Sequence, residues 1–342
     1  MKLLSKLWLV ALLGSVACDK AHPVEEAQAG ILPSSPYEPV TIKFSDPGNA
    51  GVLAYARRIG VLEKELAKVN AKIEWVPAAG AFSANFEAMN SGAINASGAA
   101  ISPVVGALAH NLKFKIFAIG AATASRQAGV ISPPASNIRT VKDLVGKRVA
   151  VNLAAHGDYM LLKALANEGI PTDQVTRVPI QPPDAAAAFA TGKIDAWSTF
   201  GTFFSSAVRN GAHVLALDAN IGSDDVGVNS ANVDVLEKNP QAFQVLLKVV
   251  QDLTEEAHRS PEKFQNVFAE KGPTAVSGDD LRIAIDETRI LPVPHVPTAE
   301  DKIKVGNVSK IFFANKSIDR EVAVDDIVFD IDQAAKAKTK IK

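Results

Sequence analysis

The chain reads Ala88-Met-Asn-Ser-Gly-Ala-Ile-Asn-Ala-Ser97 and, one hundred positions later, Ala188-Phe-Ala-Thr-Gly-Lys-Ile-Asp-Ala-Trp197. The two stretches share Ala, Gly, Ile and Ala outright, while Ser pairs with Thr and Asn with Asp. In each stretch the Gly suits the left-handed backbone that ends a helix, and apolar residues then alternate as in a buried strand. The repetition predicts two lobes of like architecture that each deliver a strand end to a shared cleft. Chance resemblance of two Ala-rich segments is the alternative.

The segments that flank the two stretches alternate in the same order. Around the first stretch we predict strands at 40–45, 72–77, 94–97 and 113–119 and helices at 51–69, 81–90 and 103–110. Around the second stretch we predict strands at 148–151, 175–180, 194–198 and 213–217 and helices at 158–167, 184–191 and 200–210. Strands that alternate with helices in this way indicate parallel sheets with right-handed crossovers. We therefore expect an α/β fold of two lobes, each a mainly parallel sheet flanked by helices.

Composition and charge exclude several classes of protein. The chain has 342 residues, 47% of them apolar, which is enough to bury a core in each lobe. Its 36 basic and 37 acidic residues leave no positive excess, so nucleic acid is not an expected partner. A single cysteine excludes an intramolecular disulfide, and six scattered histidines show no zinc-binding spacing. We expect no metal and no cofactor.

The first residues have the layout of an export signal. Lys2 and Lys6 precede an apolar run that ends at Leu13, and small residues then lead into Cys18. This order predicts a signal peptide over residues 1–17. A transmembrane helix is the alternative, but the run is too short to cross a bilayer. The order resembles a bacterial lipoprotein signal, in which the cysteine becomes the lipid-bearing first residue, although the small residues also suit ordinary signal peptidase.

Residues 18–39 have the composition of a flexible tether. They are rich in Pro, Glu and small residues and show no period. A tether suits a protein held at a membrane, so we expect a periplasmic protein anchored to the inner-membrane surface by lipid on Cys18. Several acyl chains on one cysteine would give stable anchoring. A freely diffusing chain with a disordered N-terminus is the alternative.

Four further segments carry a resemblance to a known family. They are residues 92–98, 140–151, 152–166 and 184–197. Through them, the chain from about residue 40 to 330 resembles the periplasmic substrate-binding proteins of ABC importers for sulfonates, taurine, nitrate and related compounds. The resemblance implies the type II periplasmic binding protein fold, with the ligand cleft at the hinge. It also implies a small anionic organic ligand, an ABC permease and its ATPase as partners, and a monomer.

The order of elements predicts how the chain divides between the lobes. We assign residues 40–126 and 228–330 to lobe 1, residues 127–227 to lobe 2, and residues 331–342 to a solvated tail. The chain is expected to cross near 127–133 and to return near 224–230, and two crossings make a hinge. Helices predicted at 240–258, 261–271, 279–288 and 299–314 are expected to pack mostly on lobe 1. A ligand that binds the closed form better would then shift the population toward closure of the lobes around it.

Small and hydrogen-bonding residues follow the strands at the predicted mouth of the cleft. In open α/β sheets, ligands collect beyond the carboxyl ends of the strands, where helix N-termini present free N–H groups. Six residues at these junctions are candidate ligand contacts: Asn49, Ser97, Gly98, His156, Gly157 and Ser198. Glycine allows close approach of the backbone to an oxyanion, and an imidazole could donate to an anion. Plain helix capping and a structural histidine are the alternatives.

Three larger side chains complete the candidate site. Arg126 is the best candidate for a charge-assisted contact to a sulfonate or carboxylate, with a solvated surface arginine as the alternative. Trp197 and Phe200 are assigned to the cleft wall, packed against an apolar part of the ligand, with a place in the core as the alternative.

The expected function is capture of a small organic anion for import. Where the family pattern has acidic residues in the first lobe's Gly-x-Ile-Asp motif and after the Asp-Ala-Trp of the second lobe, this chain has Asn95 and the sequence Phe200-Gly-Thr-Phe203. The loss of these acids favours an alkyl or aryl sulfonate, a sulfate ester or a similar anion over a ligand with an ammonium group. An enzyme of the same fold, of the desulfinase or thiamine-precursor synthase type, is one alternative. A binding protein that feeds a sensor is another.

Overall fold

A computed structural model describes residues 37–78, 82–120 and 126–341. The strands are β1 Val40–Ser45, β2 Ala71–Val76, β3 Ala96–Ala100, β4 Phe114–Ile119, β5 Ala128–Ser132, β6 Arg148–Val151, β7 Thr176–Pro179, β8 Ala196–Phe200, β9 His213–Leu217 and β10 Gly227–Asn232. The helices are α1 Val52–Ile59, α2 Val61–Ala67, α3 Phe86–Asn90, α4 Ile101–Ala109, α5 His156–Asn167, α6 Pro182–Ala190, α7 Gly201–Arg209, α8 Val233–Lys238, α9 Pro240–Arg259, α10 Gly278–Arg289, α11 Ala299–Ala314, α12 Val324–Ile327 and α13 Ile331–Ile341. Short 3-10 helices lie at Phe82–Asn85, Val141–Leu144, Thr172–Gln174, Asp218–Asn220 and Pro261–Phe264.

The strands form two five-stranded sheets with the same internal order. The first sheet is ordered β2-β1-β3-β10-β4 and the second β7-β6-β8-β5-β9. In the first sheet β1 pairs in parallel with β2 and β3, and β10 runs antiparallel between β3 and β4. In the second sheet β6 pairs in parallel with β7 and β8, and β5 runs antiparallel between β8 and β9. Two mainly parallel sheets flanked by helices confirm the predicted α/β fold.

The two repeated stretches occupy equivalent places in the two sheets. Gly92 and Gly192 each follow a helix and adopt left-handed backbone, with φ of 74° and 70°. Each glycine then leads into the central strand of its sheet, β3 or β8. The glycine that ends the helix and the strand that follows are therefore built alike in both halves of the chain.

Asn95 and Asp195 make matching bonds just before these strands. The Asn95 carboxamide oxygen accepts a hydrogen bond from the Lys43 backbone N–H, and the Asp195 carboxylate accepts one from the Arg148 backbone N–H, each at 2.8 Å. Both residues therefore lie at the amino end of their strand. The expectation that Asn95 removes an acid from the mouth of the cleft is wrong, because the mouth lies at the opposite end of β3.

One hydrophobic core joins the two sheets. It contains residues of α4 and α11 beside the first sheet together with Ala154, Tyr159 and Leu162, which belong to α5 and the loop before it. Gly106 of α4 packs so closely against Ala154 that an added Cβ would lie under 3.0 Å from the Ala154 carbonyl oxygen. A further core holds α1, α2 and α9 against the first sheet, and two smaller ones pack the two faces of the second sheet.

Three local predictions are wrong. The helix expected over 51–69 is divided by Gly60, whose left-handed φ of 66° ends α1 and begins α2. The helix expected over 261–271 is only the 3-10 turn Pro261–Phe264. Residues 331–342, expected to be a solvated tail, include α13, which packs against α9 and buries Ile331 and Ala335. The spacing of these two apolar residues places them on one face of a helix.

The predicted signal peptide, most of the predicted tether and Cys18 lie outside the described residues. Within the described residues, none of the helices combines the length and the apolar character needed to cross a membrane.

Candidate functional site

A cavity of about 230 Å³ lies between the two sheets and is called the inter-sheet cavity below. The first sheet and its connections contribute Phe82, Ser83, Gly98, Ala99, Ala100 and Pro103. The second sheet and its connections contribute Asn152, Ala155, His156 and Phe200. The cavity thus collects the carboxyl ends of β3 and β8 and the N-terminus of α5, which is where open α/β sheets bind ligands.

His156 is held in place by a buried carboxylate. Its Nδ1 lies 2.8 Å from the Asp225 Oδ2, and the Asp225 side chain is fully buried. Asp225 also accepts hydrogen bonds from the backbone N–H of Ser102, at 2.7 Å, and from the Ser102 hydroxyl. One carboxylate therefore joins the N-terminus of α4, beside the first sheet, to the first residue of α5, beside the second.

This arrangement favours the protonated form of His156. Burial alone would lower the pKa of the imidazole, but the hydrogen bond and charge of Asp225, together with the charge of Asp218, outweigh it and raise the pKa above the usual 6.5. Because Nδ1 donates to Asp225, the second ring nitrogen, Nε2, carries a proton only in the imidazolium form. The raised pKa extends the pH range over which Nε2 carries a proton and is able to donate to an anionic group.

A larger cleft adjoins the inter-sheet cavity and is called the first-sheet groove below. Its volume is about 830 Å³, and it runs over the ends of β1 and β3 toward α9 and α10. Phe82 and Gly98 line both spaces. The two spaces are therefore neighbours on either side of these residues.

Four of the predicted contacts come together around these spaces. Gly98, His156 and Phe200 line the inter-sheet cavity, and Ser97 lines the first-sheet groove. The Phe200 ring stands edge-on to the His156 ring, with 5.4 Å between centroids. The Ser97 hydroxyl lies 2.7 Å from the Ser45 hydroxyl, which also lines the groove. Their roles as ligand contacts stay predictions.

Asn49 is not placed as predicted. Its Oδ1 accepts hydrogen bonds from the backbone N–H groups of Phe268 and Ala269, and its Nδ2 donates to the carbonyls of Ala269 and Thr274. Both ends of the carboxamide are therefore occupied in holding the segment between the turn at 261–264 and α10. The side chain ties two parts of the chain together and does not line either space.

Gly157 and Ser198 face each other beneath the cavity. An added Cβ on Gly157 would lie 2.6 Å from the Ser198 carbonyl oxygen and closer still to Asn152 Oδ1, which accepts the Gly157 N–H at 2.9 Å. Gly157 therefore approaches β8 closely, and its predicted contact with a ligand stays a prediction. Ser198 is buried, does not line either space, and its hydroxyl has no hydrogen-bond partner in the described part of the chain.

Arg126 and Trp197 do not line either space. Arg126 is 49% exposed and pairs with Asp286 and Glu287 of α10 at 4.0 and 3.9 Å, so its charge is already matched. Trp197 is only 2% exposed and belongs to the core between β8, α6 and α7. Neither residue lines the inter-sheet cavity or the first-sheet groove, and their roles as ligand contacts stay predictions.

Sequence reasoning missed Asn152 and Asp225. Asn152 lines the cavity and braces the first turn of α5, and Asp225 orients His156. Asn152 follows a predicted strand and precedes a predicted helix, so its position was a usable signal. Asp225 carried no such signal, because an acid in the segment between two lobes is equally typical of a turn.

The two glycines predicted to approach a ligand should respond differently to alanine. Gly157→Ala should lower the free energy of unfolding by about 1–3 kcal/mol, because the methyl group overlaps a backbone carbonyl. Gly98→Ala should change it by less than about 1 kcal/mol, because its nearest neighbour would lie 3.8 Å away. Urea unfolding followed by circular dichroism measures both. Equal losses in the free energy of unfolding for the two variants would contradict the close packing of Gly157 against β8.

Three comparisons with known proteins agree with this architecture. A family model described as NMT1/THI5 like matches residues 83–264, more than half of the chain. A Bacillus subtilis protein named for the binding of aliphatic sulfonates is 25% identical over 279 residues, covering 81% of this chain and 82% of that protein. The alkanesulfonate-binding protein of Xanthomonas axonopodis pv. citri, solved with bound MOPS, has a TM-score of 0.74 and 22% identity over 86% of this chain and 99% of that one. A desulfurization enzyme matches with a TM-score of 0.59 and 14% identity over 87% of this chain and 99% of its own.

Proposed function

This chain belongs to the NMT1/THI5-like family, and we propose that it is the substrate-binding component of an ABC importer that captures a small organic sulfonate. Relatives named for sulfonate binding support the ligand class. The family expected from the sequence is confirmed. The ligand is delivered to a membrane permease, whose ATPase drives transport.

The inter-sheet cavity is the observation that carries this proposal. It combines the N-terminus of the twelve-residue helix α5 with a histidine whose pKa Asp225 raises. Both features favour an anion: the helix end through its dipole and free N–H groups, and the imidazolium through a charge-assisted hydrogen bond. Apolar neighbours such as Phe82 and Phe200 lower the polarity of the same space, which strengthens both interactions.

Sulfonates should raise the melting temperature of the protein. A ligand present at one hundred times its dissociation constant stabilises the native state by about 2.7 kcal/mol. A thermal-shift series with alkyl and aryl sulfonates, sulfate esters and carboxylates measures this, in a buffer that contains no sulfonate. Matched uncharged alcohols serve as the control. A melting temperature that no acid changes would contradict the proposal.

Binding should weaken as the pH rises through the raised pKa of His156. Below that pKa, Nε2 donates to the anion, and above it the donor is lost. A hydrogen bond to a charged group contributes about 1.5–3 kcal/mol, or roughly 10- to 100-fold in affinity. Calorimetric titration between pH 5 and 9 should show this fall for the wild type and a flat, weak profile for His156→Gln. Identical pH profiles of affinity for the two proteins would show that His156 does not bind the anion.

We propose further that the protein is exported and held at the membrane by lipid on Cys18. The support is the order of charged, apolar and small residues before Cys18 and the tether-like composition after it. Metabolic labelling of cells with an alkyne fatty acid tests this. We expect label on the wild type and none on Cys18→Ser. An unlabelled wild type would contradict lipid attachment at Cys18 and favour a freely diffusing periplasmic protein.

Binding without chemical conversion is the last part of the proposal. The only cysteine of the chain is Cys18, in the predicted signal region, so the described residues around the cavity offer no thiol nucleophile. The structural likeness to a desulfurization enzyme makes this worth testing. Incubation with aryl sulfonates and sulfinates, followed by assay of released sulfite, should give the rate of the protein-free control. Release above that rate would establish an enzyme.

A further inference from the structure

The two halves of the chain meet in two zones that lie on opposite faces of the second sheet. Helix α5 packs on one face, in the core that contains Met160 and Leu165, and α7 packs on the other, in the core that contains Phe204. Helix α5 contacts α4 and α11, beside the first sheet. Helix α7 meets α10, which packs against α9 on the first-sheet side. The two zones differ in burial.

The zone at α5 is buried and closely packed. Tyr159 of α5 stands edge-on to Phe312 of α11, with ring centroids 6.4 Å apart and both side chains buried. The buried Asp158 carboxylate accepts a hydrogen bond from Arg177 of β7 at 2.9 Å, and Arg177 also donates to the Ser317 hydroxyl, beyond the end of α11, at 2.6 Å. Separation of the halves here would expose apolar core and remove a partner from a largely buried guanidinium, so this contact is costly to break.

The zone at α7 has the opposite character. Arg209, the last residue of α7, pairs with Asp280 in the first turn of α10, and the two side chains are 60% and 19% exposed. Beside this pair lies a space of about 470 Å³, bordered by α7 residues such as Ser206 and by residues before α10 such as Val276. Because a gap already separates the two elements, their spacing can change with little loss of packing.

The same two helices border the ligand spaces. Helix α7 begins directly after Phe200, which lines the inter-sheet cavity, and α10 contributes Ala284 and Thr288 to the first-sheet groove. Arg209 and Asp280 themselves line neither space. A change in the spacing of α7 and α10 therefore shifts a border of the cavity relative to a border of the groove.

We infer that the Arg209–Asp280 pair is a latch, which holds α7 against α10 and so slows the release of a bound ligand that it does not contact. The inference rests on the proposed function and adds two positioning residues to it. The buried zone at α5 is the fixed side of the molecule, and the exposed zone at α7 is the side that opens. The attraction between the two charges favours the closed spacing with and without ligand, so its effect is measurable in both states.

Asp280→Asn should speed the release of a ligand, because it keeps the shape of the side chain and removes the charge. Exposed ion pairs contribute up to about fivefold to an equilibrium. We therefore expect naphthalenesulfonate to dissociate about 2- to 5-fold faster from the variant than from the wild type. Its own fluorescence reports release in a stopped-flow experiment. Arg209→Gln should behave like Asp280→Asn, whereas Arg209→Lys, which keeps the charge, should stay close to the wild type.

Salt and a neighbouring acid provide the controls. The ratio of the Asp280→Asn and wild-type rates should approach one as NaCl rises from 0.02 to 1 M, because the screening length falls to about 3 Å at 1 M. Asp279 lies next to Asp280 in the same helical turn, is 86% exposed and pairs only within α10, with Arg282 at 3.0 Å. Asp279→Asn should therefore release naphthalenesulfonate at the wild-type rate.

The spacing of the two sides without ligand is a second and independent measurement. Cysteines at Asn210 and Lys271, both exposed, carry spin labels on the α7 side and on the first-sheet side, in a Cys18→Ser background. Double electron–electron resonance then gives the distribution of label distances. We expect the ratio of short to long distances to fall about 2- to 5-fold in Asp280→Asn and to stay unchanged in Asp279→Asn.

The outcomes separate this inference from the proposed function. Identical distance distributions for the wild type and Asp280→Asn, or equally fast release from Asp279→Asn and Asp280→Asn, would overturn the latch and leave sulfonate binding intact. If naphthalenesulfonate does not bind the wild type, the result counts against the proposed function, and the distances measured without ligand still decide whether the latch exists.

Discussion

Asp225→Ala is expected to lower the free energy of unfolding by about 3–5 kcal/mol. The carboxylate is fully buried and accepts three hydrogen bonds, two from Ser102 and one from His156. Its removal leaves those donors without an acceptor and leaves the imidazolium without its counter-charge. Because Ser102 lies in the first turn of α4 and His156 begins α5, the loss also loosens the joint between the two sheets. Urea unfolding at pH 6, followed by circular dichroism, measures the change.

The neighbouring Asp224 provides the matched control. Its carboxylate is only partly buried and accepts one hydrogen bond, from the Asn307 side chain at 3.2 Å. Asp224→Ala should therefore change the free energy of unfolding by less than about 1 kcal/mol. A loss of similar size for both variants would show that any charge removed from this segment is costly and would contradict a special role for Asp225.

The pH dependence gives Asp225 a second readout. The pKa of His156 is raised in the folded state, so its contribution to stability is fully present below pH 6.5 and is lost as the pH rises through the raised value. Without Asp225 the imidazole keeps only the burial that lowers its pKa and the more remote charge of Asp218. The stability difference between the wild type and Asp225→Ala should therefore shrink as the pH rises from 6 to 9. A stability difference that does not change between pH 6 and 9 would contradict the pairing of His156 with Asp225.

The fold was predictable because its signals are local. Alternating strands and helices identified both sheets, and the repeated glycine at positions 92 and 192 identified equivalent helix ends. Errors arose where a local pattern was overridden by its surroundings. A glycine at position 60 divided one helix, and burial of apolar residues against α9 made a helix of the Lys-rich end.

The site was only partly predictable because the partners of its residues lie far away in sequence. Arg126 meets Glu287, 161 positions later, and Asn49 meets Ala269, 220 positions later. No pattern around either residue reveals that its hydrogen bonds are already taken. His156 and Gly98, which line the inter-sheet cavity, were predicted from their place at the junction of strand and helix. Such junctions collect at one edge of a sheet whatever the distant contacts are.

Trp197 shows how a small shift in a strand's limits changes a functional assignment. The sequence predicted a strand over 194–198, which puts Trp197 next to its end, whereas β8 runs from Ala196 to Phe200. Trp197 therefore lies inside the strand, paired with Ile131 on one side and Ala150 on the other. Phe200 is the last residue of β8 and reaches the cavity. In a strand buried on both faces, apolar alternation cannot indicate which aromatic residue borders the cleft.

Trp197→Ala should therefore destabilise the protein by about 3–5 kcal/mol and leave sulfonate affinity of the folded protein within about threefold of the wild type. The indole packs against Phe189 and Phe203, with ring centroids 5.7 and 5.9 Å away, so its loss opens a void in the core. Phe200→Ala should do the opposite, with a loss of less than about 1.5 kcal/mol but clearly weaker binding, because its ring borders the cavity and contacts His156. Chemical unfolding and calorimetry on the two variants decide between these roles. If the alanine variant is too unstable to titrate, Trp197→Phe, which keeps part of the packing, provides a folded form. Weak binding by a well-folded Trp197→Phe would indicate that the Trp197 side chain contacts the ligand from the cleft wall.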